Sequence, residues 1–122
     1  METPKVFESE YRFCSIVWEH EPINSTELVK LCKEKLGWAK ATTYTVIKRL
    51  SQRGIIKSEN ATVTTLYTRE EIQSSEVEEL IERTFDGSLP DFFAAFVKGR
   101  SLSEDEAEKL HRLIDQSKGA KK

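Results

Sequence analysis

Cysteine is scarce in this chain. Cys14 and Cys32 are the only two, with seventeen residues between them, and no CxxC or His-rich spacing accompanies them. Each falls among apolar neighbours on a predicted helix, so both are expected to be reduced core thiols. A disulfide is disfavoured in the cytoplasm. Histidine is equally rare: His20 and His111 fall in different predicted domains. No serine or cysteine has a base or nucleophile motif around it. The expectation is therefore no enzyme, no catalytic residue, no metal ligand and no cofactor. His20, Cys14 and Cys32 meeting in space as metal ligands is the alternative, and core or surface roles are preferred to it. No apolar run approaches the length that crosses a bilayer, and the N-terminus shows no signal-peptide pattern, so the expected location is cytoplasmic.

Basic residues are not in excess either. The formal net charge is −2, which taken alone argues against a dedicated nucleic-acid binder. The distribution says more. Residues 1–69 hold 11 Lys/Arg against 8 Asp/Glu, whereas residues 70–122 hold 8 against 13. Within 40–69, Lys40, Lys48, Arg49, Arg53, Lys57 and Arg69 are opposed only by Glu59. The positive field is concentrated on one segment, and an acidic C-terminal half would be held away from DNA. At 122 residues, 38% hydrophobic and 33% charged, the chain suits a small domain with an appendage, and wholesale disorder is not expected.

The informative stretch runs from Gly37 to Leu50 and meets Gly54. Read as a helix from about Lys40, it places Thr43, Val46, Ile47 and Leu50 at i, i+3, i+4 and i+7, which makes one buried stripe. The opposite face carries Ala41, Thr42, Tyr44, Thr45, Lys48 and Arg49 with no carboxylate. Hydroxyls and cations there suit phosphates and base edges, and a ring or methyl suits a thymine methyl. A merely solvated amphipathic helix is the plainer reading of that helix alone.

Its surroundings favour the first reading. Residues 1–7 read as a loose arm. A helix from Ser9 carries Tyr11, Cys14, Val17 and Trp18 on its apolar side and ends near His20, ahead of Pro22. Asn24 to Glu27 reads as a capping box, with Asn24 accepting from the amide three residues on. That box opens a helix bearing Leu28, Leu31, Cys32 and Leu36, which Gly37 stops. A short turn then leads to the basic helix, whose expected N-cap, Ala39, is a poor one. Two helices so joined make a helix-turn-helix.

After Gly54 the period changes. Ile55–Lys57 and Val63–Thr68 read as strands about a turn at 58–62, a β-hairpin placed where a winged helix has its wing. Its tip offers Asn60 and Thr62 for phosphate contacts, beside Glu59. Thr68 to Glu71 is a second capping box, opening a helix with Ile72, Val77, Leu80, Ile81, Thr84 and Phe85 on its apolar side up to Gly87. A helix after Ser88 carries Leu89, Phe92, Phe93, Phe96 and Val97 at helical spacing. Leu102 to Glu106 gives a third capping box, with Leu102 placed to staple against Ala107. The helix it opens uses Ala107, Leu110 and Ile114, with Leu113 at its edge, before a frayed tail at 118–122. So short a helical set cannot bury its aromatic stripe alone. A second copy of the chain is the expected cover, in a two-fold dimer. Folding back onto the N-terminal domain is the alternative.

Taken in order, these pieces resemble the penicillinase repressors, the BlaI/MecI type of winged-helix transcriptional regulator. The match runs from about Glu8 to Ile114. It is carried by Val17-Trp18, Trp38, the run Thr42 to Leu50 followed by Gly54, and later Phe96-Val97, Leu102-Ser103 and Glu106. The resemblance implies a homodimeric winged-helix repressor that binds a palindromic double-stranded DNA operator. In resistance-linked members a membrane sensor-protease pathway ends repression by cutting between an asparagine and a phenylalanine. The matching pair here is Ala95-Phe96, so the asparagine is missing, and a regulatory protease acting there is put in question. A copper-responsive branch carries clustered cysteines near its C-terminus. None follows Cys32, so copper sensing is disfavoured.

The expected fold is mainly α with a small β-hairpin: a winged helix-turn-helix DNA-binding domain over 1–69 and a helical dimerisation domain over 70–122. The expected DNA-binding residues are Lys40, Ala41, Thr42, Tyr44, Thr45, Lys48, Arg49, Arg53, Asn60 and Thr62. Thr42, Tyr44 and Thr45 are assigned to bases, and Lys40, Lys48, Arg49 and Arg53 to phosphate, with Arg49 alternatively paired to an acidic neighbour inside the domain. Dimerisation is assigned to Leu80, Phe85, Leu89, Phe92, Phe93, Phe96, Val97, Leu110 and Ile114. The competing function is a winged-helix protein–protein interaction module with no operator of its own.

Overall fold

The computed structural model describes residues 3–120, with side chains through 118. It is mostly helical with one small antiparallel sheet, and it divides into two compact units, residues 1–79 and 80–122. The expected boundary at 69/70 coincides with the start of a helix, whereas the units divide inside that helix.

In the first unit, α1 (Glu8–His20) is followed by β1 (Ile23–Asn24), α2 (Ser25–Leu36), α3 (Lys40–Gln52), β2 (Ile56–Glu59) and β3 (Thr62–Thr65), and α4 (Arg69–Phe85) begins there. This is a winged helix. The strands lie in the order β1-β3-β2, with Ile23 opposite Val63 and Ile56 opposite Thr65. Phe13, Cys14 and Val17 of α1, Leu28 and Cys32 of α2, and Leu50 of α3 are fully buried, and Ile55, Ile56 and Val63 close the core from the sheet. Both thiols lie in this core. Burial, with the charges of Glu10 and Glu21 adding, pushes Cys14 up to about 12, and burial also raises Cys32.

Three local expectations need correction. The segment before α1 is not a loose arm over its described part: Val6 is a core residue, and the Lys5 carbonyl accepts a hydrogen bond from Arg53 Nη2. Met1 and Glu2 lie outside the described residues. Asn24 caps α2, but its side chain accepts from the amide of Thr26, two residues on, at 2.8 Å. The residue preceding that helix is also committed to the unexpected strand β1, which fixes its backbone. The wing turn has only two residues, Asn60 and Ala61, with φ 54° and 60°, so the strands extend into the expected loop. Two successive left-handed residues produce the tight hairpin whose twist matches its strands.

At Gly37 and Thr68 the local signals hold. Gly37, at φ 73°, ends α2, with its own amide bonded to the Lys33 carbonyl and that of Trp38 to Cys32. The box at Thr68 is reciprocal: Thr68 N–H donates to Glu71 Oε1 at 2.8 Å and Glu71 N–H to Thr68 Oγ1 at 3.0 Å. The start of α4 is clasped to α1. Trp18 Nε1 donates to the Tyr67 carbonyl at 2.9 Å, the Arg69 guanidinium lies 5.1 Å from the indole centroid, and Ile72 is buried.

The second unit holds the rest of α4, α5 (Leu89–Val97) and α6 (Glu104–Ala120). Ser88 caps α5 by accepting from the Asp91 amide at 3.1 Å, and Ser103 and Glu106 form the reciprocal box that opens α6. The tail expected to fray from Lys118 is helical to Ala120, while Lys121 and Lys122 lie outside the described residues. No side chain between 80 and 118 is fully buried.

Candidate nucleic-acid interface

Burial and exposure alternate along α3 as its spacing requires. Thr43, Val46, Ile47 and Leu50 face the core, while Lys40, Ala41, Thr42, Tyr44, Thr45, Lys48 and Arg49 are exposed. The helix starts without a side-chain cap at Ala39, so its first amides are open to an external acceptor. A helix N-terminus of this kind favours anionic partners.

An open groove of about 410 Å³ runs along this face, lined by Ser9, Trp38, Ala41, Thr42, Thr45, Val46 and Arg49. Four of the expected contact residues, Ala41, Thr42, Thr45 and Arg49, therefore share one surface. Ser9 and Trp38 were not foreseen as part of it. Trp38 is held in place by stacking on buried Phe13, with centroids 5.9 Å apart and planes within 9°. Among the described residues, Asn60 and Thr62 are exposed at the wing turn and do not line the groove. On the wing, Lys57 Nζ sits 3.1 Å from Glu59 Oε1, which offsets the one acidic side chain in this segment.

The electrostatic centre of the site is a residue the charge count hid. Glu10, on the first turns of α1, is only 3% exposed. Its carboxylate accepts from the Phe7 amide at 3.0 Å, from Arg49 Nε at 3.2 Å and from Arg53 Nη1 at 2.8 Å. Burial alone would raise its pKa, but the Phe7 amide and the two guanidinium groups outweigh burial and hold it below the ordinary glutamate value. The acidic neighbour of Arg49 is thus Glu10, and Arg53 shares it. The signal was available: Glu10 lies four residues before Cys14 and seven before Val17, on the apolar stripe, where a carboxylate needs buried partners.

In the second unit the expected dimerisation residues are packed against one another only in part. Phe85 and Phe92 meet edge to face at 5.7 Å, and Phe92 and Phe96 lie 6.3 Å apart. Phe85, Phe92, Val97 and Leu110 are half-buried, whereas Leu80, Leu89, Phe93, Phe96 and Ile114 are exposed, Leu89 at 61%. Ala95-Phe96 lies inside α5. Among the described residues there is no cluster of potential metal ligands and no helix long and apolar enough to cross a membrane.

Comparison with known proteins is consistent along the chain. The profile of the family described as penicillinase repressor matches residues 7–116. A penicillinase repressor of Bacillus licheniformis is 24% identical over 123 residues, covering 98% of this chain and 96% of that protein. An uncharacterized 16.5 kDa protein in the ptsI 3′ region of Latilactobacillus sakei is 28% identical over 116 residues, covering 92% of this chain and 80% of that one.

Proposed function

Because this chain belongs to the penicillinase repressor family of DNA-binding transcriptional repressors, we propose that it acts as a homodimer on a two-fold operator, in the cytoplasm. The observation that carries this reading is the exposed face of α3, which bears hydroxyls, a tyrosine and cations but no carboxylate. Two copies of α3 enter successive major grooves about 34–36 Å apart. Ala41, Thr42, Tyr44 and Thr45 meet base edges and thymine methyls. Lys40, Lys48, Arg49 and Arg53 meet phosphates, with Asn60 and Thr62 adding phosphate contacts from the wing. Occupying a promoter in this way blocks polymerase.

The second copy is drawn in by the helices after residue 80. Their aromatic and aliphatic side chains stay exposed in one chain, and a two-fold partner presents the same surface in return. Cleavage at Ala95-Phe96 is disfavoured as the signal that ends repression. That bond sits in a helix, which a protease must first unwind, and alanine stands where the resistance-linked repressors carry asparagine.

Fluorescence anisotropy of the purified protein on DNA upstream of its own gene, beside a scrambled duplex and at two salt concentrations, tests the reading. The expected result is salt-sensitive binding that favours the upstream DNA, with two protomers per site. Equal or absent binding on both, with no operator found elsewhere in the genome, would move the assignment to a winged helix used for protein contact.

A further inference from the structure

The Glu10 cluster does more than join two helices. Its carboxylate is buried on α1, while both arginines stay partly open, Arg49 with 48% and Arg53 with 31% of its side chain exposed. Arg49 also lines the groove beside Thr42 and Thr45. Arg49 thus faces the proposed DNA side, with Arg53 four residues on sharing its carboxylate, while the charge that opposes them is withheld from solvent and from counterions. A surface carboxylate would be screened or would swing away. This one can do neither, because the Phe7 amide and two guanidinium groups hold it.

We infer that Glu10 is a positioning residue that acts through Arg49 and Arg53 to set the chain's sequence-independent affinity for DNA. By holding both guanidinium groups on one buried carboxylate, it removes one unit of positive charge from the edge of the recognition helix. It thereby limits how strongly the chain grips DNA of any sequence. The inference rests on the DNA-binding reading above. Its logic is that phosphate attraction is sequence-independent and supplies nearly all non-specific affinity. Base contacts from Thr42, Tyr44 and Thr45 do not depend on this charge. Lowering the common term weakens operator and non-specific binding by the same factor, so Glu10 sets how readily the chain leaves DNA, while the base contacts set the ratio between sites. The same three bonds also fix where the two guanidinium groups sit, so that they meet phosphates in one register.

The test uses the full chain on a random-sequence duplex, which needs no knowledge of the operator. Affinity is measured across a salt series for the wild type and for Glu10→Gln. Glutamine keeps the size and an acceptor oxygen but loses the charge. The expected result is a log–log salt slope steeper by about 0.9, equivalent to about 3.5-fold more affinity lost over a roughly fourfold rise in salt. Tighter binding than wild type at the lowest salt accompanies it. A purely structural Glu10 would change the melting temperature and leave the slope alone, and that outcome overturns the inference. Should Glu10→Gln fail to fold, Arg53→Gln and the double variant Glu10→Gln/Arg53→Gln make the same comparison with one cation fewer. The double variant's slope is then expected to exceed that of Arg53→Gln by about 0.9, and equal slopes overturn the inference. A wild type with no salt-dependent affinity for any duplex removes the DNA reading and this inference together. A wild type that binds, with variants of unchanged slope, removes this inference alone.

Discussion

Ala61 is the least comfortable residue in the wing, and replacing it with glycine has a calculable effect. Asn60 and Ala61 both adopt the left-handed conformation, at φ 54° and 60°. Asparagine tolerates that region, but for an ordinary residue with a Cβ it costs roughly 1–2 kcal/mol. Glycine removes this cost and adds about 0.5–1 kcal/mol of backbone entropy lost on folding. Ala61 is exposed, so little packing is lost. The hydrogen bond from the Ser25 amide to the Ala61 carbonyl, at 2.8 Å, is made by the main chain and survives the change. The net expectation for Ala61→Gly is a gain of about 0.5–1 kcal/mol. For a unit of this size that raises the melting temperature by about 3–6 °C. Thermal denaturation followed by circular dichroism reads it directly, with Asn60→Gly as the control expected to gain nothing. A lower melting temperature for Ala61→Gly, or an equal gain at both positions, would show that strain at Ala61 is not what the turn carries.

Lys48→Ala is expected to weaken binding to all DNA sequences and to reduce the salt slope by about one, and an unchanged slope would take Lys48 off the contact surface. Glu10 makes stability depend on acid. Its folded pKa is lowered, so its contribution is fully present above the ordinary glutamate value of 4.5 and is lost as pH falls through the lower folded value. Melts taken down through the carboxylate range are therefore expected to show a shallower acid loss in Glu10→Gln than in the wild type. Cys14 and Cys32, buried and with raised pKa values, are expected to resist iodoacetamide in the native chain and to react once it is denatured, as mass spectrometry would show. Phe93→Glu removes one exposed ring from each protomer, two from the proposed two-fold dimer surface. It is expected to weaken self-association by about a hundredfold or more in analytical ultracentrifugation, from the roughly 1.5–3 kcal/mol of burying each of the two side chains.

What could be read from the residues alone was whatever depended on local spacing. The stripe of Thr43, Val46, Ile47 and Leu50 needs only helical geometry, and the reciprocal boxes at Thr68 and Ser103 need only a hydroxyl and a carboxylate three residues apart. Features that depended on distant partners were hidden. β1 is two residues long and has no periodicity; it is a strand because β3 offers a free edge beside it. Val6 belongs to a core otherwise assembled from residues 13 to 72, which no count over residues 1–7 could reveal. The tight wing turn was obscured because alanine occupies a position that usually signals itself with glycine. Of the candidate site, the composition of the α3 face was legible. The sharing of Glu10 by Arg49 and Arg53 was not, because it joins positions about forty residues apart.

The bond between the Ser25 amide and the Ala61 carbonyl closes a ring of chain. Within that ring lie α2, the turn at Gly37, all of α3 and the first strand of the wing. The α3 helix is the far arc of the ring rather than a rod resting on a surface, so its departure from the core is coupled to the opening of the ring. Its amides should then exchange with solvent in step with those of β2 and β3, as one opening unit. A unit closed in this way pays its ordering entropy during folding, before any partner is met.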